Sequence, residues 1–355
     1  MHAPTHASSM RSASARLTTL SAMGGKRMVA SVLAIVMALV ALVAFATVDD
    51  RGSDVPAAGP ERTLAAPAPD DQDASPVAST PTATPRPTRT KATPASLPGG
   101  GRKVFGRNRF LVAYYGTPGT GVLGVLGEQP PKRMHRDLVR AGRPFVRPGE
   151  RLLPVYELIV TVADPFPGKG GDFNHDVARR DVRRYVEAAE RRGALVVLDL
   201  QPGRDDFLTV AKRWRWALEQ PHVGLALDPE WRMGRHQVPG RVIGSVRARE
   251  VHRVSAWLDR LTARHDLPEK VFMLHQFRSS MIVRPERLVD RPHLAEVLHV
   301  DGFGTPGQKL DTYGVLARPR QLRMGFKLFI DEDTPMMRAR AVRRIRPAVR
   351  FVSFQ

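Results

Sequence analysis

Asp228 and Glu230, two carboxylates separated by Pro229 in the run VGLALDPEW, are well spaced for proton transfer. Side chains two apart on a strand face the same side, so both are expected to project together if the strand runs on regularly across the proline. Carboxyls so close do not both ionise easily. One is pushed to a raised pKa and becomes a proton donor while the other keeps its charge, the division of labour that cleaving a glycosidic bond requires. Trp231 beside them offers a flat apolar face on which a sugar ring can stack. A plainer use exists for all three: Asp228 as a turn former, Glu230 paired with Arg232 or Arg235, and Trp231 as core.

Three further apolar runs break off into acids in the same way. LVVLDLQPG ends on Asp199 and Gln201, VLHVDGFG on Asp301, and KLFIDED on Asp331, Glu332 and Asp333. His275 and Gln276 close another run and carry groups able to bond hydroxyls or an acetamido group. Tyr114 and Tyr115 end the first run, while Glu157 lies earlier in its own and reads as a buried, paired residue. The expected catalytic set is Glu230 as general acid with Asp228 or Asp199 as its charged partner. Substrate contacts are expected from Tyr114, Gln201, Trp231, His275, Gln276, Asp301 and Asp331.

Such residues need a scaffold that brings run ends together. Short β-rich runs at 110–115, 152–162, 194–200, 223–228, 270–276, 297–301, 325–330 and 349–354 alternate with amphipathic patterns. Helices are expected at 176–192, with Val177, Val182, Tyr185, Val186 and Ala189 on one face, and at 247–265, with Val251, Val254, Leu258 and Leu261. Gly193 reads as a helix stop. Eight strands in about 250 residues favour an α/β fold of the (β/α)8 TIM-barrel type, in which loops at the C-terminal strand ends form the site. No eighth helix follows the last strand, so upstream segments are expected to cover it.

Other chemistries lack their signatures. The chain has no cysteine, which removes disulfides, thiolate ligands and cysteine nucleophiles. Asp199, Asp228, His275, His299 and Asp301 could meet around a metal, yet no compact ligand motif is present, and neither metal nor cofactor is expected. Gly119-Thr120-Gly121-Val122-Leu123-Gly124 matches a dinucleotide fingerprint but runs into Pro130-Pro131 before a helix can develop, and reads as a βα loop. No Gly-x-Ser-x-Gly elbow occurs. The net charge of +20, from 55 Lys and Arg against 35 Asp and Glu, is spread over every helix rather than striped, which argues against nucleic acid and suits an anionic surface.

Residues 28–48 are uncharged over about the 20 residues that span a bilayer. Arg11, Arg16, Lys26 and Arg27 precede them in the basic tail 1–27 and Asp49 and Asp50 follow, so the tail is expected in the cytoplasm and the rest outside. An uncleaved single-pass anchor is favoured over a cleaved signal at Ala44-Phe45-Ala46. Residues 49–103, rich in Pro, Ala and Thr, read as a disordered linker, and 104–355 as the barrel domain.

The blocks Glu157-Leu158-Ile159, LDLQPG at 198–203, LDPEW at 227–231, His275-Gln276-Phe277 and VDGFG at 300–304 together resemble a group of exported actinobacterial-type TIM-barrel proteins of unassigned activity. The resemblance covers about residues 110–355 and implies a barrel and export. Asp228-Pro229-Glu230 is also similar to the fourth-strand Asp-x-Glu of chitinase-like and lysozyme-like barrels. There it implies Glu230 as acid and Asp228 as the group assisting a substrate acetamido, although Val223-Gly224-Leu225-Ala226-Leu227 replaces the longer acidic run of chitinases. The expected function is hydrolysis of an envelope or extracellular polysaccharide, with a non-catalytic glycan-binding or scaffolding barrel as the alternative.

Overall fold

The computed structural model describes residues 94–355. The expected tail, membrane segment and most of the expected linker lie outside them. Among the described residues no helix is long and apolar enough to cross a membrane.

Eight parallel strands close into a barrel: β1 Arg109–Gly116, β2 Arg151–Ala163, β3 Leu195–Leu200, β4 Val223–Leu227, β5 Lys270–Gln276, β6 Leu294–Val300, β7 Arg323–Leu328 and β8 Val349–Phe354. Each pairs with the next in chain order, and β8 returns to β1. These are the eight runs expected from the sequence, two of them with the same bounds and the others displaced by up to three residues at an end. Buried on both faces, the strands read as continuous apolar stretches, as parallel sheets do.

Alternation along each strand sorts the side chains into two sets. One faces the surrounding helices, with Phe110, Val112, Tyr114, Leu158, Leu198, Leu225, Leu274 and Phe326 among them. The other fills the lumen: Leu111, Ala113, Leu153, Val155, Leu195, Val197, Ala226, Val271, Met273, Ala295, Val297 and Phe351. Stacked layers of this kind make a barrel interior a packed core, not a pore. Leu97 and Val104 join the lumen cluster from below and close its floor. Leu97 falls inside the stretch expected as linker. That segment is tied down where the Arg102 guanidinium donates to Asp266 Oδ1 at 2.7 Å and to the Leu267 carbonyl at 3.0 Å.

The outer layer comprises α1 Pro131–Gly142, α2 Arg179–Arg192, α3 Phe207–Arg213, α4 Arg215–Leu218, α5 Ala248–Arg264, α6 Pro306–Leu316 and α7 Ala339–Val342. Val182, Tyr185, Val186 and Ala189 bury the inner face of α2, and Val251, Val254, Leu258 and Leu261 that of α5. Gly193 ends α2 at φ 66°, a left-handed conformation that glycine takes without a Cβ penalty. Helix α2 starts three residues later than expected. Asn174–Asp176 instead pairs antiparallel with the extended end of β2, and Asp176 Oδ1 accepts from Thr161 Oγ1 at 2.6 Å. Over β8, Phe354 meets Tyr114 and Phe145 edge-on, so upstream residues cover the last strand.

Candidate active site

Above the apolar layers, the inward positions of the barrel change character completely. Tyr115 on β1, Glu157 on β2, Asp199 on β3, His275 on β5, His299 on β6, Lys327 on β7 and Ser353 on β8 occupy the C-terminal end of the lumen, and all are buried. Strand register places them side by side: Tyr115 opposite Glu157, His275 opposite His299, and Lys327 opposite Ser353. Asp228 and Asp301, at the first positions after β4 and β6, complete the rim.

The groups form a connected network. Tyr115 Oη donates to Asp199 Oδ2 at 2.7 Å. His275 Nδ1 bonds Asp301 Oδ2 at 2.8 Å, and its Nε2 stands 3.0 Å from Glu157 Oε1 and 4.0 Å from Asp199 Oδ1. Lys327 Nζ lies 3.5 Å from Asp301 Oδ2 and 3.6 Å from the centre of the Tyr115 ring. His299 sits edge-on to His275, ring centres 5.2 Å apart, with Nε2 2.7 Å from Ser353 Oγ. Gly325 makes room for this ring, since a Cβ there would overlap His299 Nδ1.

The network separates charged groups from neutral ones. Burial alone would raise Asp301, but the Lys327 ammonium and the His275 imidazole outweigh it and hold the carboxyl well below the usual range. Burial opposes charge on His275 and Lys327 too. The hydrogen bond to Asp301 and the adjacent Glu157 carboxylate overcome it for His275, and the fields of Asp301 and Glu157 for Lys327, so both rise. Asp228 is driven far up by burial, Glu230 and Asp199. Burial also raises Asp199 despite His275 and the Tyr115 hydroxyl. His299 is pushed down by burial and by His275 and Lys327, and stays neutral. For Glu230, burial and Asp301 outweigh Lys327 and His275 and lift the carboxyl to about 8.

Glu230 is placed differently from the rest. Strand β4 ends at Leu227, and Pro229–Trp231 forms a single 3-10 turn, so Asp228 and Glu230 do not share a regular strand face. Pro229 has no N–H with which to continue the ladder. The turn leaves Asp228 buried and Glu230 and Trp231 half-exposed at the rim. Among the described residues neither Asp228 nor Glu230 has a cation within 4.0 Å. Arg232, an expected partner of Glu230, donates instead to Glu250 Oε1 at 2.9 Å.

Several expected substrate contacts sit elsewhere. Tyr114 points into the helix layer against Phe354, because Leu111, Ala113 and Tyr115 are the inward residues of β1. Asp331 is exposed, and the buried acid of its run is Asp333. Asp333 accepts from Lys309 Nζ at 2.9 Å and from the Gly304 and Phe329 amides at 3.0 Å, which pins the loop after β6 to the loop after β7. Gln201 Oε1 accepts from the Ala163 amide at 3.2 Å and so braces β3 on β2. Gln276 Nε2 donates to the Arg278 carbonyl at 2.9 Å. Asp199, Asp228, Glu230, His275 and Asp301 do gather at the rim. Lys327 escaped the sequence reading, although a lysine flanked by Phe326 and Leu328 inside an apolar run, in phase with Gly325, is a signal for it.

No family model and no curated protein matches this chain. The parallel barrel therefore defines the class of the molecule, and its polar upper layer defines the site.

Proposed function

We propose that the chain is a barrel hydrolase acting by carboxylate acid/base catalysis on a polysaccharide, with Glu230 as the general acid. The observation that carries this reading is the contrast between two carboxyls at one rim. Glu230 is partly buried, has no cation within 4.0 Å among the described residues, and is lifted to about 8 by burial and Asp301, whereas Asp301 is buried and held ionised by Lys327 and His275. Paired acids with pKa values driven apart are the usual mark of an acid and its charged partner. Asp301 takes the partner role that sequence gave to Asp228 or Asp199, because burial raises both of those. Trp231, half-exposed beside Glu230, remains the stacking surface for a sugar ring.

The test is a digestion panel of envelope glycans with the full-length chain, read as new reducing ends. Loss of a general acid costs about 10²–10⁴ in rate, so Glu230→Gln is expected to lose at least about 100-fold. Release undiminished in that variant removes Glu230 from the mechanism. The near-complete burial of Glu157, Asp199 and Asp228 favours a second reading, a glycan-binding barrel without turnover. It predicts glycan retained by the wild type with no reducing ends formed.

The same reading puts the barrel outside the cell on the anchor at 28–48. Protease added to intact cells is then expected to remove the barrel domain while sparing cytoplasmic controls.

A further inference from the structure

We propose that Glu157, His275 and His299 form a binding site for a divalent transition-metal ion of the zinc type. One donor atom from each lies within 4.8 Å of the other two, and all three residues are wholly buried. They come from three strands, β2, β5 and β6, so the convergence is a product of barrel closure and leaves no local motif.

The state of the individual atoms points to a ligand. Among the described residues Glu157 Oε2 and His299 Nδ1 have no hydrogen-bond partner, and Glu157 Oε1 and His275 Nε2 face each other at 3.0 Å without completing a hydrogen bond to any group. Buried polar atoms without partners are rare, and four of them in three touching residues call for a common explanation. The second nitrogen of each imidazole is engaged: His275 Nδ1 with Asp301 Oδ2 at 2.8 Å, and His299 Nε2 with Ser353 Oγ at 2.7 Å. A carboxylate on the far nitrogen of a histidine is the usual outer support of a metal ligand, fixing both ring orientation and basicity. Asp199 Oδ1 and Asp228 Oδ1, also without partners, bring further oxygen donors to the same rim.

Donor chemistry selects the ion. Two imidazoles with a carboxylate and no thiolate suit zinc, iron(II) or nickel, whereas calcium and magnesium take oxygen ligands throughout. Ligands 2.0–2.1 Å from a tetrahedral ion stand about 3.4 Å apart, so the three donors need to close by little more than an ångström. This departs from the expectation of a metal-free chain. It does not rest on Glu230, which is not among the ligands.

The experiment strips the full-length chain with a chelator, dialyses it against Zn²⁺ and then against metal-free buffer, and counts bound zinc by mass spectrometry. One zinc per chain is expected. Glu157→Gln is expected to weaken binding at least tenfold, and Asp301→Asn, which removes the support of His275, 10- to 100-fold. His293→Asn, which alters a half-exposed histidine paired with Asp259, is expected to bind as the wild type does. Substoichiometric zinc, or zinc retained in Glu157→Gln and lost in His293→Asn, overturns the proposal. X-ray absorption on the zinc-loaded wild type needs no variant: two imidazoles with oxygen donors support the site, and an all-oxygen or histidine-only shell overturns it. Zinc binding without glycan cleavage, or the reverse, separates this proposal from the assignment of Glu230.

Discussion

At the scale of single residues, Lys327 is the hinge of the electrostatics. It is the ammonium within 4 Å of Asp301, its Nζ rests against the Tyr115 ring, and its field also restrains Asp199 and Glu230. Lys327→Met is expected to destabilise the fold by about 3–5 kcal/mol in urea titrations, because one partner of a buried pair is left uncompensated. Tyr115→Phe strands the Oδ2 of a buried aspartate and is expected to cost about 1–3 kcal/mol by the same measurement. If Glu230 donates the proton, the rate holds at acid and neutral pH and falls as pH rises through about 8, where the donor loses its proton. A pH–rate profile flat through pH 9 removes it from that role.

Elements explain what the sequence could and could not disclose. All eight strands were legible because burial on both faces makes each a run of apolar residues bounded by turn formers. Which face of a run meets the lumen was not legible, since a one-residue change of phase exchanges the two faces. Tyr114 and Tyr115 could not be told apart for that reason, and Glu157 passed for an ordinary buried acid. Asp331 and Asp333 share that ambiguity. They stand beyond the end of β7, where loop geometry and not strand alternation decides which acid turns inward. Gly325 shows a constraint that crosses between strands, for its missing side chain is the space in which His299 lies. Gly325→Ala is expected to cost about 1–3 kcal/mol and to displace the His299 ring, a shift readable in the imidazole proton resonances.

For the whole molecule, buried ionisable groups away from the rim also tie stability to pH. Glu296 lines a small hollow between α5 and the outer faces of β5 and β6, where burial and Asp290 raise it to about 8. The folded chain thus keeps a proton that the unfolded chain releases in the ordinary carboxylate range. The resulting stability is fully present below that range and is lost as pH climbs through 8. Unfolding free energies from urea titrations are expected to fall between pH 5 and pH 8.5, by a few kcal/mol at about 1.4 per pKa unit, and Glu296→Gln is expected to flatten that slope. Lys270 works with the opposite sign. Burial lowers its ammonium to about 7, so its contribution grows as the solution becomes more alkaline than that.

Leu97 and Val104, wedged under the lowest layer of the packed lumen, seal the cylinder at one end. The polar layer lies at the opposite end, where Glu230 and Trp231 are only partly buried. Strands on every side and a closed floor keep these fixed charges from bulk dielectric, and in that seclusion Lys327, His275, His299, Asp199, Asp228 and Asp301 hold such unequal affinities for protons.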